Sequence, residues 1–213
     1  MKQTGNRDVT VFRANAATAM ILQLVTAVIG IVLPRLILGA YGSATNGLVT
    51  TITQFLSYIS LMEAGTGSVM RAAMYKPLVT GDMQRLSGVV NACKRFFRML
   101  AYIFLVYMAV LAVGYPFFAK NSGFSYEFVF WLILILSITT FTQYFFGMTC
   151  YLLMQAHQKI YLMNIVDIIS LIANFGVSAL LIWLGAGIHT VKLATAALFL
   201  IRPLAIYWYV KKK

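Results

Sequence analysis

The spacing of the apolar runs constrains this chain more than any other feature. Six segments each supply the roughly 20 apolar residues that an α-helix needs to cross hydrocarbon at a rise of about 1.5 Å per residue. They cover about 14–38, 47–73, 96–118, 126–154, 160–184 and 188–209, with short gaps between most of them. The pattern predicts an all-α, polytopic membrane protein with a single six-helix bundle over 1–213. Charge content agrees. The chain is 61% hydrophobic and 10% charged, whereas a soluble domain carries about 25% charged residues to hold its surface in water. The first run is too long for the apolar core of a signal peptide and is read as the first span.

The distribution of basic residues predicts orientation. The chain has 17 Lys and Arg against 5 Asp and Glu, a net charge of +12. In a soluble chain that excess would suggest nucleic acid. Here the basic residues fall in gaps between apolar runs, where they face anionic headgroups, and no nucleic-acid partner is expected. With the N-terminus in the cytoplasm, 14 of the 17 lie inside: Lys2, Arg7, Arg13, Arg71, Lys76, Arg85, Lys94, Arg95, Arg98, Lys159, Arg202 and Lys211 to Lys213. Arg35, Lys120 and Lys192 fall on the outer half. An even number of crossings returns the C-terminus to the cytoplasm. Tyr115, Tyr207, Trp208 and Tyr209 sit near span ends, as an interfacial aromatic belt would.

The longest gap, about 74–95, reads as a basic amphipathic helix at the cytoplasmic interface, starting after Gly81 with Asp82 as its N-cap. Cys93 belongs to this gap and Cys150 to the fourth span. Neither a disulfide nor a metal-ligand spacing is implied.

Polar groups inside hydrocarbon are costly, so their placement carries information. Thr50, Thr53, Gln54 and Ser57 share one arc of the second span, with Ser60 and Glu63 at its edge. Hydroxyl and amide bonding between helices is one reading of such a stripe; the wall of a wet cavity is the other. A carboxylate well inside a span must pair, protonate or meet water, and Glu63 favours the cavity. Arg71 lies about 12 Å further along the helix axis, beyond direct reach. Between them, Ala64, Gly65, Thr66, Gly67 and Ser68 allow close helix approach or bending. The fifth span repeats the theme: Asn164, Asp167, Ser170, Asn174 and Ser178 recur every three or four residues and should face the bundle interior. Arg35 follows Pro34, a residue able to kink the first span, and either reaches outward to headgroups or faces a cavity. The fourth span adds Thr139, Thr140, Thr142, Gln143 and Gln155.

Catalytic constellations are missing from the sequence. His157 and His189 are the only histidines and fall on opposite predicted sides, and no zinc-protease or serine-hydrolase motif occurs. No enzyme activity, cofactor or metal is expected.

Several motifs together resemble a known family. They are Pro34-Arg35-Leu36, Leu38-Gly39-Ala40-Tyr41-Gly42, Asn46-Gly47-Leu48, Gln54-Phe55-Leu56-Ser57-Tyr58 and Leu61-Met62-Glu63-Ala64-Gly65-Thr66-Gly67. Met74-Tyr75-Lys76-Pro77-Leu78 with Asp82 follows, then Leu153-Met154-Gln155-Ala156-His157-Gln158-Lys159-Ile160-Tyr161, and finally Arg202-Pro203-Leu204 to Lys212. In this order they resemble the N-terminal half of polysaccharide-biosynthesis flippases of the multidrug/oligosaccharidyl-lipid/polysaccharide exporter superfamily. His157 departs from that pattern, which commonly has an acidic residue there.

The resemblance implies one lobe of a two-lobed transporter in a bacterial or archaeal cytoplasmic membrane, working with a second lobe from the same or a partner chain. It also implies a lipid-linked oligosaccharide or polysaccharide precursor as substrate. Such a molecule carries a pyrophosphate and a glycan, so a cavity must present cations and hydrogen-bonding groups. Arg35 and Arg71 are the candidate cations. Thr50, Gln54, Ser57 and Asn174 are candidate sugar contacts, and Glu63 and Asp167 are candidate sites for a coupling ion. A drug/cation antiporter or a lipid II flippase of the same superfamily is an alternative, although acidic rather than basic cavity residues would suit the antiporter. In a non-transporting scaffold for polysaccharide assembly, the polar faces would be protein contacts.

Overall fold

The computed structural model describes residues 2–63, 65–118, 123–158 and 160–211, with side chains placed for 9–63, 65–117, 123–158 and 160–201. Lys2, Arg7, Ala64, Lys120, Lys159, Arg202, the aromatic trio 207–209 and the terminal lysines therefore lie outside the residues or side chains described. Among the described residues the chain is all-helical: α1 (Lys2–Ser57), α2 (Ile59–Glu63), α3 (Thr66–Thr80), α4 (Met83–Phe118), α5 (Tyr126–Thr142), α6 (Met148–Ala156), α7 (Ile160–Trp183) and α8 (Ile188–Lys211). A π-helical turn, Gln143–Gly147, joins α5 to α6.

Four helical segments are long and apolar enough to cross a membrane: Val9–Glu63, Met83–Phe117, Tyr126–Ala156 and Ile160–Trp183; a shorter apolar stretch covers Ile188–Ile201. The predicted first and second spans follow one another with no loop between them, divided at Gly42, and the 74–95 gap holds no separate interfacial helix. Its second half is the first part of α4, running without a break into the predicted third span. The reason is local. From Met83 to Phe96 the chain meets no proline, and the helix carries Gly88 and the Val89-Val90 pair through without interruption once the turn at Gly81 is passed. Asp82 caps as expected, its Oδ1 accepting from Arg85 N at 2.9 Å and its Oδ2 lying 3.6 Å from the Arg85 guanidinium.

Pro34 does not break α1. The non-helical residue is Gly42, at φ 81° and ψ 168°, a conformation that only glycine adopts without strain. Partners on either side show that the chain turns back there. Asn15 bonds Tyr161, Thr18 bonds Asn164 and Tyr41 bonds the Ala186 carbonyl, so the first leg of α1 runs parallel to α7. From Asn15 to Tyr41 that pairing spans about 39 Å, enough for the hydrocarbon core. After Gly42, the Phe55 carbonyl accepts from the Tyr107 hydroxyl at 2.8 Å, and Arg71 reaches Gln155, beside the turn that Asn15 holds.

The remaining contacts give each helix a direction. Arg98 lies over the Phe145 ring and Tyr126 bonds the Val113 carbonyl, so α4 is antiparallel to α5 and α6. His189 Nε2 meets the Phe128 carbonyl at 2.9 Å, setting the start of α8 beside the start of α5. One end of the bundle, the amino-terminal end, therefore holds Asn15, Arg71, Gln155 and Tyr161. The opposite end holds Tyr41, Val113, Tyr126 and His189.

The core sits between α1, α4, α5 and the π turn, around Ile52, Phe97, Leu100, Phe104, Leu132 and Ile133. Much apolar surface faces outward instead: Met20, Leu24, Val28 and Ile31 on α1, Val106 and Val110 on α4, and Ile165, Ile169 and Ile172 on α7. Outward patches of that extent suit hydrocarbon and not water. The half-buried Tyr115 ring packs edge-on against Phe55 at 5.5 Å.

Candidate functional site

The second leg of α1 is where the helix loses continuity. It ends at Ser57, resumes over Ile59–Glu63, and resumes again at Thr66 after Gly65, whose φ is 87°. The interruption follows from the sequence. Ser57 donates to the Gln54 carbonyl and Ser60 to the Ser57 carbonyl, each competing with the backbone ladder. Beyond them, Gly65 takes a left-handed conformation that a side chain disfavours. Thr66 Oγ1 then returns a bond of 2.8 Å to the Glu63 carbonyl.

Glu63 occupies this break, half-buried. Its Oε1 lies 3.7 Å from the position a Cβ on Gly67 would take, so the missing side chain leaves the carboxylate room against the backbone. The buried Tyr144 side chain lies close enough to the same carboxylate to interact with it electrostatically. Tyr144 belongs to the π turn of Gln143–Gly147. Two irregular backbone segments, one on each of two neighbouring legs, therefore meet at one acid. π turns and interrupted helices at membrane depth recur where backbone lines a functional cavity.

Two turns beyond Glu63, Arg71 Nη1 donates to Gln155 Oε1 at 3.0 Å. A guanidinium has five donors in a planar fork, and this contact orients the fork while using Nη1. Arg35 is exposed and lies towards the opposite end, so the two candidate cations do not share one site.

The two polar faces differ in burial. Thr50, Gln54 and Ser57 are exposed, as are Thr53 and Ser60. Thr50 donates to the Asn46 carbonyl and Thr53 to the Val49 carbonyl, which leaves the hydroxyl lone pairs facing out as acceptors. The polar face of α7 turns inward. Asn164, Asn174 and Ser178 are buried; Asn164 donates to Thr18 at 3.0 Å, and Ser178 to Asn174 at 3.5 Å. Asp167 is half-buried on the same helix, which packs chiefly against α1 and α8. Glu63 and Asp167 therefore belong to different contacts. The inward turn of the α7 face agrees with the sequence expectation; Asn164 attaches α7 to α1, and Ser178 with Asn174 bonds within α7 itself.

Sequence reasoning passed over Tyr144, because a tyrosine in an aromatic run carries no signal of its own. It also passed over Asn15, whose Nδ2 donates to the Gln158 carbonyl and whose Oδ1 accepts from Tyr161 N, both at 2.8 Å. Gln155 stood out only as a polar residue in a span. Among the described residues, no group of three or more His, Cys, Asp or Glu is placed to hold a metal ion. The chain matches no protein-family model, and neither the curated proteins nor the solved structures give a match.

Proposed function

We propose that this chain is one lobe of a membrane transporter that moves lipid-linked oligosaccharide or polysaccharide precursors across a bacterial or archaeal cytoplasmic membrane. The observation that carries the reading is the meeting of an interrupted helix and a π turn at Glu63, with Arg71 two turns away. Counting the two legs of α1 separately, and adding α8, gives six crossings with both termini on the cytoplasmic side. A second lobe faces the exposed Thr50–Gln54–Ser57 stripe and closes a cavity.

Each part has a chemical role. Arg71 meets the pyrophosphate at the cytoplasmic end and Arg35 meets it after passage, because the two cations lie at opposite ends of the path. The outward lone pairs of Thr50 and Ser57 accept from sugar hydroxyls, and the Gln54 amide both donates and accepts. Glu63, beside Tyr144, takes the coupling proton or sodium ion; binding there changes the charge beside a helix break, a place where backbone can shift. Asp167 is the second candidate for that ion, and Asn174 a sugar contact if α7 separates from its neighbours.

A scaffold reading draws on one observation, the burial of Asn164, Asn174 and Ser178 in helix contacts. The experiment separates the two. Single cysteines replace Gln54, Ser57, Glu63, Asp167 and Asn174 in a background lacking Cys93 and Cys150, and a membrane-impermeant thiol reagent is applied in native membranes. The transporter reading expects labelling at Gln54, Ser57 and Glu63 that added lipid-linked oligosaccharide blocks. Reactive loop controls with silent positions 54, 57 and 63 would refute it and leave the scaffold.

A further inference from the structure

Away from Glu63, two surface grooves join along α5 at the opposite end of the bundle. The deeper one encloses about 440 Å³ and is walled by Phe104, Met108, Leu134, Ile138, Phe141 and Leu193. The other, about 370 Å³, is lined by Ser125, Glu127, Phe128 and His189. Trp131 and Ile135 line both, so the grooves are continuous. From Glu127 to Phe141 the path runs about 21 Å along the helix. One leaflet of a hydrocarbon core is about 15 Å thick, which leaves several ångströms for a headgroup.

The two ends differ in chemistry. The trunk is apolar, and its hydroxyl, on Ser137, already donates to the Leu134 carbonyl at 2.7 Å. The mouth is rich in acceptors. Glu127 is exposed and stands in the first turn of α5. The Phe128 carbonyl accepts from His189 Nε2, and in the tautomer with its proton on Nε2 the ring offers Nδ1 as an acceptor. Ser125 Oγ caps α5 by accepting from Phe128 N at 3.3 Å. In a chain of net charge +12, Glu127 is the acidic side chain at this end among the described residues.

We propose that this groove is a binding site for one bilayer lipid with a primary-amine headgroup, its ammonium at Glu127 and His189 and one acyl chain along α5. A carboxylate and an imidazole nitrogen accept charge-assisted hydrogen bonds from an ammonium. A quaternary choline has no N–H to donate, and an anionic headgroup would meet Glu127 with like charge. The site goes beyond the transport reading and does not depend on it.

Trp131 is the reporter, because it lines both grooves. The full chain carrying Trp183→Phe and Trp208→Phe is reconstituted in phosphatidylcholine vesicles, with bromine on the acyl chains of a minor lipid. Brominated phosphatidylethanolamine should quench Trp131 several-fold more than brominated phosphatidylcholine at the same mole fraction, and Glu127→Gln should remove the difference. Equal quenching by the two lipids would overturn the proposal, as ordinary annular contact. Stronger quenching by brominated phosphatidylglycerol would overturn it in favour of an anionic headgroup. A preference that survives Glu127→Gln would overturn the assignment of the mouth.

Discussion

Asn15 offers the sharpest test of how the two ends of the chain are joined. Its side-chain amide spans from the first leg of α1 to the turn before α7. Nδ2 donates to the Gln158 carbonyl and Oδ1 accepts from Tyr161 N, each at 2.8 Å. Tyr161 N is among the first N–H groups of α7, which have no partner inside their own helix, so Asn15 acts as an N-cap supplied from another helix. Gln158 has a positive φ of 59°, and the bond to its carbonyl helps hold that turn. Loss of a cap costs about 0.5–2 kcal/mol, and a second neutral hydrogen bond adds about 0.5–1.5 kcal/mol. Water reaches this partly exposed turn and recovers part of that, so Asn15→Ala should destabilise by about 1–2 kcal/mol. For a chain of this size, that lowers Tm by roughly 2–8 °C. Asn15→Asp keeps the acceptor for Tyr161 N but sets a carboxylate against the Gln158 carbonyl, so its loss should be partial. The assay is thermal unfolding in detergent, with limited proteolysis at 157–159 as a local readout. An Asn15→Ala protein with unchanged Tm and unchanged cleavage would refute the clamp, and with it the register of α1 against α7.

Other substitutions test separate parts of the fold. Gly42→Ala has open space around its Cβ but must hold φ 81°, ψ 168°, so backbone strain alone should cost about 1–3 kcal/mol; a wild-type Tm would show that the reversal can be made another way. Asp82→Ala should lose about 1 kcal/mol through the cap of α4, and Asp82→Asn should retain most of it; equal losses in the two variants would assign the effect to charge. Cys93 and Cys150 are both buried and unbridged, so an impermeant maleimide should label neither in the folded protein and both after denaturation in SDS; prompt labelling of Cys93 would contradict the main core, and of Cys150 the packing of α6 against Met163 of α7.

Sequence pattern fixed the all-helical class of this protein. Runs of some 20 apolar residues with charges confined to the gaps allow helices in hydrocarbon, and the outward faces of α1, α4 and α7 carry that apolar surface. The periodicity on 164–178 likewise fixed which face of α7 turns inward, because spacing of three and four on a helix defines one side before anything is packed against it. The Asp82 cap was legible for a similar reason: its bond reaches only three residues along the chain. Contacts between distant segments were not legible. Tyr144 meets Glu63 because a π turn shifts its place on the helix, and a count at 3.6 residues per turn carries no sign of that shift. Arg71 and Gln155, 84 positions apart, and Asn15 and Tyr161, 146 apart, come together only when parallel legs pack side by side. Local pattern fixes which residues face which way, because it depends on helix geometry alone. Which faces meet, and so where the polar groups find their partners, is decided by packing between helices that the sequence order does not place beside one another.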